Sequence, residues 1–88
     1  MFKLVFLRRA KEELKNIDPV WQKRIKSKLF ILASDPVLLK NKIKSLKGKQ
    51  KGLARLRVGA YRIIFQKKNK ELIITIIRIA HRRKVDRR

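Results

Sequence analysis

Two strand-like segments joined by Gly59-Ala60 constrain the fold of this chain more than any other feature. They run from Leu53 to Val58 and from Tyr61 to Gln66, and close to the loop their apolar residues alternate with arginines, which is typical of half-buried strands. A glycine at the first position of a two-residue loop suits a type II′ turn, which joins neighbouring antiparallel strands. The sequence therefore predicts a β-hairpin. Its expected cross-strand pairs are Val58 with Tyr61, Arg57 with Arg62, Leu56 with Ile63 and Arg55 with Ile64.

Two further strands are indicated at the ends of the chain. A strand from Leu72 to about Ile79 is expected to follow the hairpin, and its nearly continuous apolar composition is typical of the middle of a sheet. Near the N-terminus, Phe2, Leu4 and Phe6 alternate with Lys3 and Val5. This alternation predicts a short first strand with one buried face.

Two helices are predicted between the first strand and the hairpin. Apolar residues recur at helical spacing from about Arg8 to Asn16, with Glu12 and Glu13 expected in the early turns. A second helix has Asp18 as its N-cap and Pro19 at its first position. Its apolar stripe consists of Trp21, Ile25, Leu29 and Leu32. Pro36 should stop it near Ser34, and the two helices are expected to form a hairpin.

The expected fold class is α+β, in two layers. An N-terminal strand and a two-helix hairpin precede a three-stranded antiparallel sheet, with the helices on one sheet face. The 88 residues leave room for one domain, spanning 1–88. The segment from Val37 to Gly52 has no sustained period, so no firm structure is predicted there. Leu39, Ile43 and Leu46 are expected to anchor it as an ordered loop.

The charge of the chain indicates an anionic partner. Lysine and arginine number 27 against six acids, a formal net charge of +21. Such self-repulsion destabilises a compact state unless counter-charge is nearby, and nucleic acid is the expected partner. No membrane association is expected, because no stretch combines a basic face with a broad exposed apolar face, and the longest apolar run is too short to cross a bilayer. With no signal-peptide core at the N-terminus, the expected location is cytoplasmic.

The same composition limits the chemistry. The chain has no cysteine and one histidine, and its six acids are scattered. These counts argue against thiolate catalysis and a protein-held metal ion, so no metal site is predicted.

Three arginines are the principal candidate site. In the predicted hairpin, Arg55, Arg57 and Arg62 share the face opposite the apolar residues. Like charges directly opposite one another cost up to about 1 kcal/mol, so folding alone does not explain them. They either solubilise an exposed face or form a cradle for phosphates, which guanidinium groups bind through paired hydrogen bonds. We predict the phosphate cradle.

Other basic residues are expected to contribute diffuse electrostatic attraction. They are Lys23, Arg24, Lys26, Lys28, Lys42, Lys44, Lys47, Lys49 and Lys51. The last strand delivers Ala80-His81-Arg82-Arg83-Lys84 just past its end, beside the hairpin if the strands pair in order. His81 is a candidate proton acceptor there, with a structural role as the alternative. Trp21 and Tyr61 are aromatic, but packing is their expected role.

The chain resembles the RelE/ParE superfamily of toxins. The resemblance rests on Leu46 to Lys49, on the hairpin block from Gly52 to Phe65, and on His81 to Val85. The hairpin carries L-x-R-x-G-x-Y-R, and the order of elements agrees over nearly the whole chain. The resemblance implies a toxin with an acidic cognate antitoxin. RelE-type members are ribosome-dependent mRNA endonucleases that need no metal or cofactor.

The resemblance also implies roles for particular residues. Arg62 and Arg82 match the key arginines of RelE-type members, with His81 as a further catalytic candidate. Substrate-binding candidates are Arg55, Arg57, Arg83, Lys47 and Lys49. Where many members have a tyrosine after the valine, this chain has Asp86, which implies reduced activity. Two alternatives stay open at this point: inhibition of DNA gyrase, as by ParE-like toxins, and non-catalytic binding of nucleic acid.

Overall fold

The computed structural model describes residues 1–46 and 52–81. The described elements are strand β1 (Lys3–Phe6), helix α1 (Arg8–Lys15), helix α2 (Pro19–Ser34), a 3₁₀ helix (Pro36–Lys42) and strands β2 (Ile43–Ser45), β3 (Leu53–Val58), β4 (Tyr61–Lys68) and β5 (Ile73–His81). The α+β class and the predicted order of strand, two helices and hairpin are confirmed. No helix in this part of the chain is long and apolar enough to cross a membrane.

The β3–β4 hairpin forms in the predicted register. All four expected pairs are present, including Arg57 opposite Arg62. Gly59 has a φ of +59°, whereas Ala60 has no positive φ. A positive φ at the first loop position alone is the signature of a type II′ turn. The local sequence around this turn was therefore sufficient to set the register.

The sheet has five strands in the order β1-β5-β4-β3-β2, which corrects the expected three-stranded sheet. The N-terminal strand β1 joins it by parallel pairing with β5, from Lys3 opposite Ile73 to Phe6 opposite Ile76. At the other edge, β2 pairs with β3 inside the segment for which no firm structure was predicted. A strand of three residues is too short to show a period, and its partner β3 decides its conformation.

Strand β5 lies between β1 and β4, as its apolar composition predicts. It also extends two residues beyond the expected end at Ile79. The register between β4 and β5 shifts at Ile64/Phe65, where an irregularity places one more residue on β5. Such bulges depend on the paired strand and leave little trace in one sequence.

Helix α2 begins and ends as predicted. The Asp18 carboxylate accepts a hydrogen bond of 2.9 Å from the Val20 amide, and Pro19 occupies the first turn. Helix α1 differs in one respect, because Glu12 and Glu13 lie beyond its first turn. Helix α1 packs chiefly on β5, while α2 contacts β1, β3 and the 3₁₀ helix.

The core lies between the helices and one face of the sheet. Its large, fully buried side chains are Ile25, Leu29, Leu32, Leu56, Ile63, Ile74, Ile76 and Ile79. The predicted stripe on α2 supplies three of them, and Trp21 and Tyr61 pack at the margin of this core as expected. The other face of the hairpin carries the three arginines, with Ile64 opposite Arg55.

Candidate nucleic-acid interface

The hairpin carries Arg55, Arg57 and Arg62 on the sheet face that points away from the helices. We call these three residues the arginine face. Arg57 and Arg62 are a direct cross-strand pair, and Arg55 lies two residues before Arg57 on the same strand. Arg57 is exposed, while Arg55 and Arg62 are half-buried. The structure thus brings together the three arginines that the sequence predicted to lie together.

The arginine face forms one wall of a cavity of about 300 Å³. Strand β2 and the residues before it supply the other wall, because Lys44 pairs with Arg55 across the β2–β3 ladder. The residues that line this first cavity are Asn41, Lys42, Ile43, Lys44, Arg55, Arg57 and Arg62. Five of the seven are cationic and none of them is acidic. A phosphate group in this cavity would meet several charge-assisted hydrogen-bond donors at once.

Counter-charge is found elsewhere in the described residues. Between residues 1–46 and 52–81, the ion pairs join Arg8 to Glu12, Arg9 to Glu13 and Arg78 to Glu13, all involving helix α1. These ion pairs lie at α1 and β5, away from the first cavity. Because like charges on neighbouring strands repel, an anion bound between them stabilises the local structure as well as the complex.

His81 lies on the other side of the sheet from the arginine face. It is the last residue of β5 and pairs with Tyr61, whose side chain packs at the core margin. The two rings are in edge contact, with centroids 5.4 Å apart. Arg62, the next residue along β4, points the opposite way because side chains alternate along a strand. The structure therefore does not bring His81 to the three arginines, and places it within β5 rather than just past its end.

Several residues singled out in the sequence lie outside the described residues. They are Lys47, Lys49, Arg82 and Arg83, together with Asp86. Their roles remain predictions.

Sequence reasoning missed the specific contribution of Lys42 and Lys44. Both were included in the diffuse basic surface, whereas the structure places them in the first cavity with Arg55. The signal that identifies them is the pairing of β2 with β3, which is a contact between distant parts of the sequence. Without that pairing, the lysines of this segment are indistinguishable.

Glu13 was also missed as a structural contact. Strand β1 ends its pairing at Phe6, so the edge of β5 beyond Ile76 is open to α1. The Glu13 carboxylate accepts a 2.7 Å hydrogen bond from the Ile79 amide, and bonds of 2.9 and 3.2 Å from Nη2 and Nε of Arg78. Glu13 therefore fixes the half of β5 that leads to the C-terminal basic residues.

Comparison with known proteins is consistent with this geometry. The ParE toxin family of type II toxin–antitoxin systems, parDE, matches residues 4–85. No curated protein matches the sequence at a significant level.

Solved structures share the fold. A chain of the RelBE2 toxin–antitoxin complex from Mycobacterium tuberculosis has a TM-score of 0.81 at 22% identity, covering 92% of this chain and 98% of that chain. A chain of the RelE–RelB complex from Pyrococcus horikoshii has a TM-score of 0.78 at 24% identity, covering 92% of this chain and 94% of that chain. A chain of the RelB–RelE complex from Methanococcus jannaschii has a TM-score of 0.74 at 27% identity, covering 92% of this chain and 93% of that chain. With its arginine-bearing hairpin on a RelE-like fold, the chain belongs to the ParE toxin family of type II toxin–antitoxin systems, within the RelE/ParE superfamily.

Proposed function

We propose that this toxin is a ribosome-dependent mRNA endonuclease that uses no metal ion. The observation that carries the proposal is the arginine face, which lines a cavity together with two lysines and, among the described residues, without an acidic one. A phosphodiester is the ligand that best matches several guanidinium groups at this spacing. Translation stops when the message is cut, which accounts for toxicity.

The expected reaction is attack of a ribose 2′-oxygen on the adjacent phosphorus. The bond from phosphorus to the 5′-oxygen breaks, which leaves a 2′,3′-cyclic phosphate and a 5′-hydroxyl. Negative charge accumulates on the phosphoryl oxygens in the transition state. Cations fixed in advance stabilise that charge more than they stabilise the ground state. Arg62 is the proposed source of this stabilisation, together with Arg82, while Arg55 and Arg57 hold the strand.

The arginine face does not account for removal of the 2′-hydroxyl proton. A guanidinium group stays protonated at neutral pH and cannot accept a proton. His81 lies on the other side of the sheet, in ring contact with Tyr61. We therefore infer that the arginine face, as described within residues 1–46 and 52–81, contributes binding and charge stabilisation, and we propose that the proton acceptor comes from outside this face. This division of roles is consistent with an activity that depends on the ribosome.

Cleavage of mRNA on translating ribosomes tests the proposal. Arg62→Ala should lower the rate by about 100-fold or more, within the range for loss of a group that stabilises transition-state charge. Arg8→Ala removes the same charge from an exposed side chain on α1, 93% accessible, and should leave the rate unchanged. Circular dichroism should show that both variants are folded. Intact transcripts with the wild-type protein would overturn the proposal.

Inhibition of DNA gyrase is the second candidate function. It is favoured by the match to the ParE family over residues 4–85. The two functions separate in paired assays, because gyrase inhibition blocks supercoiling of plasmid DNA and leaves transcripts intact. Supercoiling inhibition by the wild-type protein, without transcript cleavage, would establish this alternative.

A cognate antitoxin is part of the proposal. The related chains from Mycobacterium tuberculosis, Pyrococcus horikoshii and Methanococcus jannaschii are each components of a toxin–antitoxin complex. With a formal charge of +21, this chain requires counter-charge from its partner, so we expect its antitoxin to be acidic. Co-expression with such a partner should restore growth of cells that express the toxin.

A further inference from the structure

A second cavity, of about 480 Å³, lies beside the first at the edge of the sheet. Strand β2 begins at Ile43, opposite Leu56, so the end of β3 extends beyond the described β2 pairing. There the 3₁₀ helix and α2 close over the end of β3. The lining includes the aromatic side of Trp21 and the backbone near Gly59.

Basic side chains from three elements converge on this second cavity. Helix α2 supplies Lys23, Arg24 and Lys28, the 3₁₀ helix supplies Lys42, and β3 supplies Arg57. All five are exposed, and none of the described residues that line the cavity is acidic. Side chains that served only to solubilise the surface would have no reason to surround one concavity. Their convergence indicates a ligand with several negative charges.

Arg24 is positioned in advance for such a ligand. Its guanidinium carbon lies 4.9 Å from the centroid of the Trp21 ring. Stacking on an aromatic ring restricts the side chain, while its N–H groups still point outward in the guanidinium plane. Trp21 is itself fixed by its contact with Tyr61, with ring centroids 5.7 Å apart. A restrained donor loses less conformational entropy when it binds an anion.

The two cavities are adjacent. Lys42 and Arg57 line both of them. The first cavity lies on the arginine face, while the second reaches the helix side around the open end of β3. A ligand that occupies both must therefore bend around the sheet edge. A single strand can follow such a path, whereas a stiff duplex cannot bend over so short a distance.

We propose that the second cavity binds the same single-stranded RNA that occupies the arginine face, through phosphates next to the one held there. The cavity is a substrate-binding extension that fixes the direction of the strand across the toxin. This inference rests on the proposed function for the identity of the ligand. It assigns Lys23, Arg24 and Lys28 to specific phosphate contacts, in place of the diffuse attraction expected from the sequence.

The test uses two pairs of lysines that lower the charge equally. Lys23→Ala/Lys28→Ala removes two cations from the second cavity. The control, Lys15→Ala/Lys26→Ala, removes two exposed lysines that line a different, apolar groove between α1 and α2. Lys26 lies on the same helix as Lys23 and Lys28, and Lys15 ends α1, so the control removes the same charge from a different surface. Binding is measured by fluorescence anisotropy with a labelled single-stranded RNA of about 12 nucleotides.

The expected result is a difference in both affinity and salt dependence. The second-cavity variant should bind about tenfold more weakly. The slope of log affinity against log salt should become about 1.4 less steep, because two phosphate contacts are lost and each contributes about 0.7 on a single strand. The control variant should keep the wild-type slope. Equal losses in the two variants would overturn the inference, because they would show that only net charge matters. A loss confined to duplex DNA would overturn it as well.

Arg24 provides a second and independent measurement. Arg24→Lys preserves the charge but removes the stacked planar donor, so RNA affinity should fall severalfold more than for Lys26→Arg, the matched exchange on the other side of α2. No difference between them would contradict the role of stacking.

The inference and the proposed function can fail separately. Wild-type protein that binds RNA through the second cavity but leaves transcripts uncut on ribosomes would refute the endonuclease and retain the binding site. If the wild-type protein cuts transcripts and the second-cavity variant binds RNA as tightly as wild type, the endonuclease is retained and the second binding site is refuted.

Discussion

Gly59 combines two constraints at one residue. Its φ of +59° lies in the left-handed region, and a Cβ atom at this position would overlap Cη2 of Trp21. Glycine is therefore needed both for the turn and for the contact of the indole with the hairpin. Because the same indole stacks on Arg24, the shape of the second cavity depends on residue 59 being a glycine.

Gly59→Ala should lower the free energy of unfolding by about 2–4 kcal/mol, from the strained φ together with the steric overlap. Gly52→Ala is the matched control, because Gly52 also has a positive φ, +90°, but nothing lies within 4 Å of its Cβ position. The control should lose only about 1–2 kcal/mol. Urea denaturation measures both variants. Equal losses would show that the contact with Trp21 is unimportant to stability.

At the scale of elements, the contact of α1 with β5 takes the place of the pairing that a longer β1 would provide. Beyond Phe6 the chain turns into α1, and the Glu13 carboxylate accepts the hydrogen bond of the Ile79 amide that a longer β1 would have accepted. The same carboxylate binds Arg78, and its side chain is only 21% exposed. A partly buried carboxylate that accepts three hydrogen bonds contributes more to the free energy of unfolding than an exposed ion pair does.

Glu13→Ala should therefore cost about 2 kcal/mol of stability, because it leaves the Ile79 amide without its acceptor. Hydrogen exchange at Ile79 should accelerate more than exchange at Ile74, which lies within the β1–β5 ladder. Glu12→Ala is the control, since Glu12 makes an exposed pair with Arg8 at 3.6 Å and should cost less than about 0.5 kcal/mol. Unchanged exchange at Ile79 in Glu13→Ala would contradict this account of the strand end.

At the scale of the whole molecule, the excess of positive charge opposes folding. The formal charge is +21 over 88 residues, and the acids that form ion pairs among the described residues are confined to α1. The unfolded chain relieves this repulsion by expanding. Dissolved salt, or a bound polyanion, relieves it in the folded state.

Raising sodium chloride from about 20 to 500 mM should therefore stabilise the free toxin, since the Debye length falls well below the size of the molecule. A gain of about 1 kcal/mol would raise Tm by about 4–8 °C for a domain of this size. Single-stranded RNA added at low salt should have a similar effect by binding to the folded state. Thermal unfolding followed by circular dichroism measures both, and a Tm that falls with added salt would contradict the dominance of self-repulsion.

The amino-acid sequence by itself determined the parts of this protein that depend on near neighbours. Alternation around Gly59-Ala60 was enough for the register of the hairpin and hence for the arginine face. The Asp18-Pro19 cap and the stripe on α2 were enough for the main helix and its buried side. Apolar residues recur every two positions in a strand and every three to four in a helix, so a short stretch of sequence is enough to predict these elements.

Tertiary structure decided what distant segments do to one another. The pairing of β2 with β3 places Lys42 and Lys44 at the arginine face, and the extension of β5 places His81 on the other side of the sheet. The Glu13 contact and the convergence of Lys23, Arg24 and Lys28 on one cavity have the same origin. Such contacts depend on which elements meet in space, and the local pattern of lysines, glutamates or a single histidine is the same whether they meet or not.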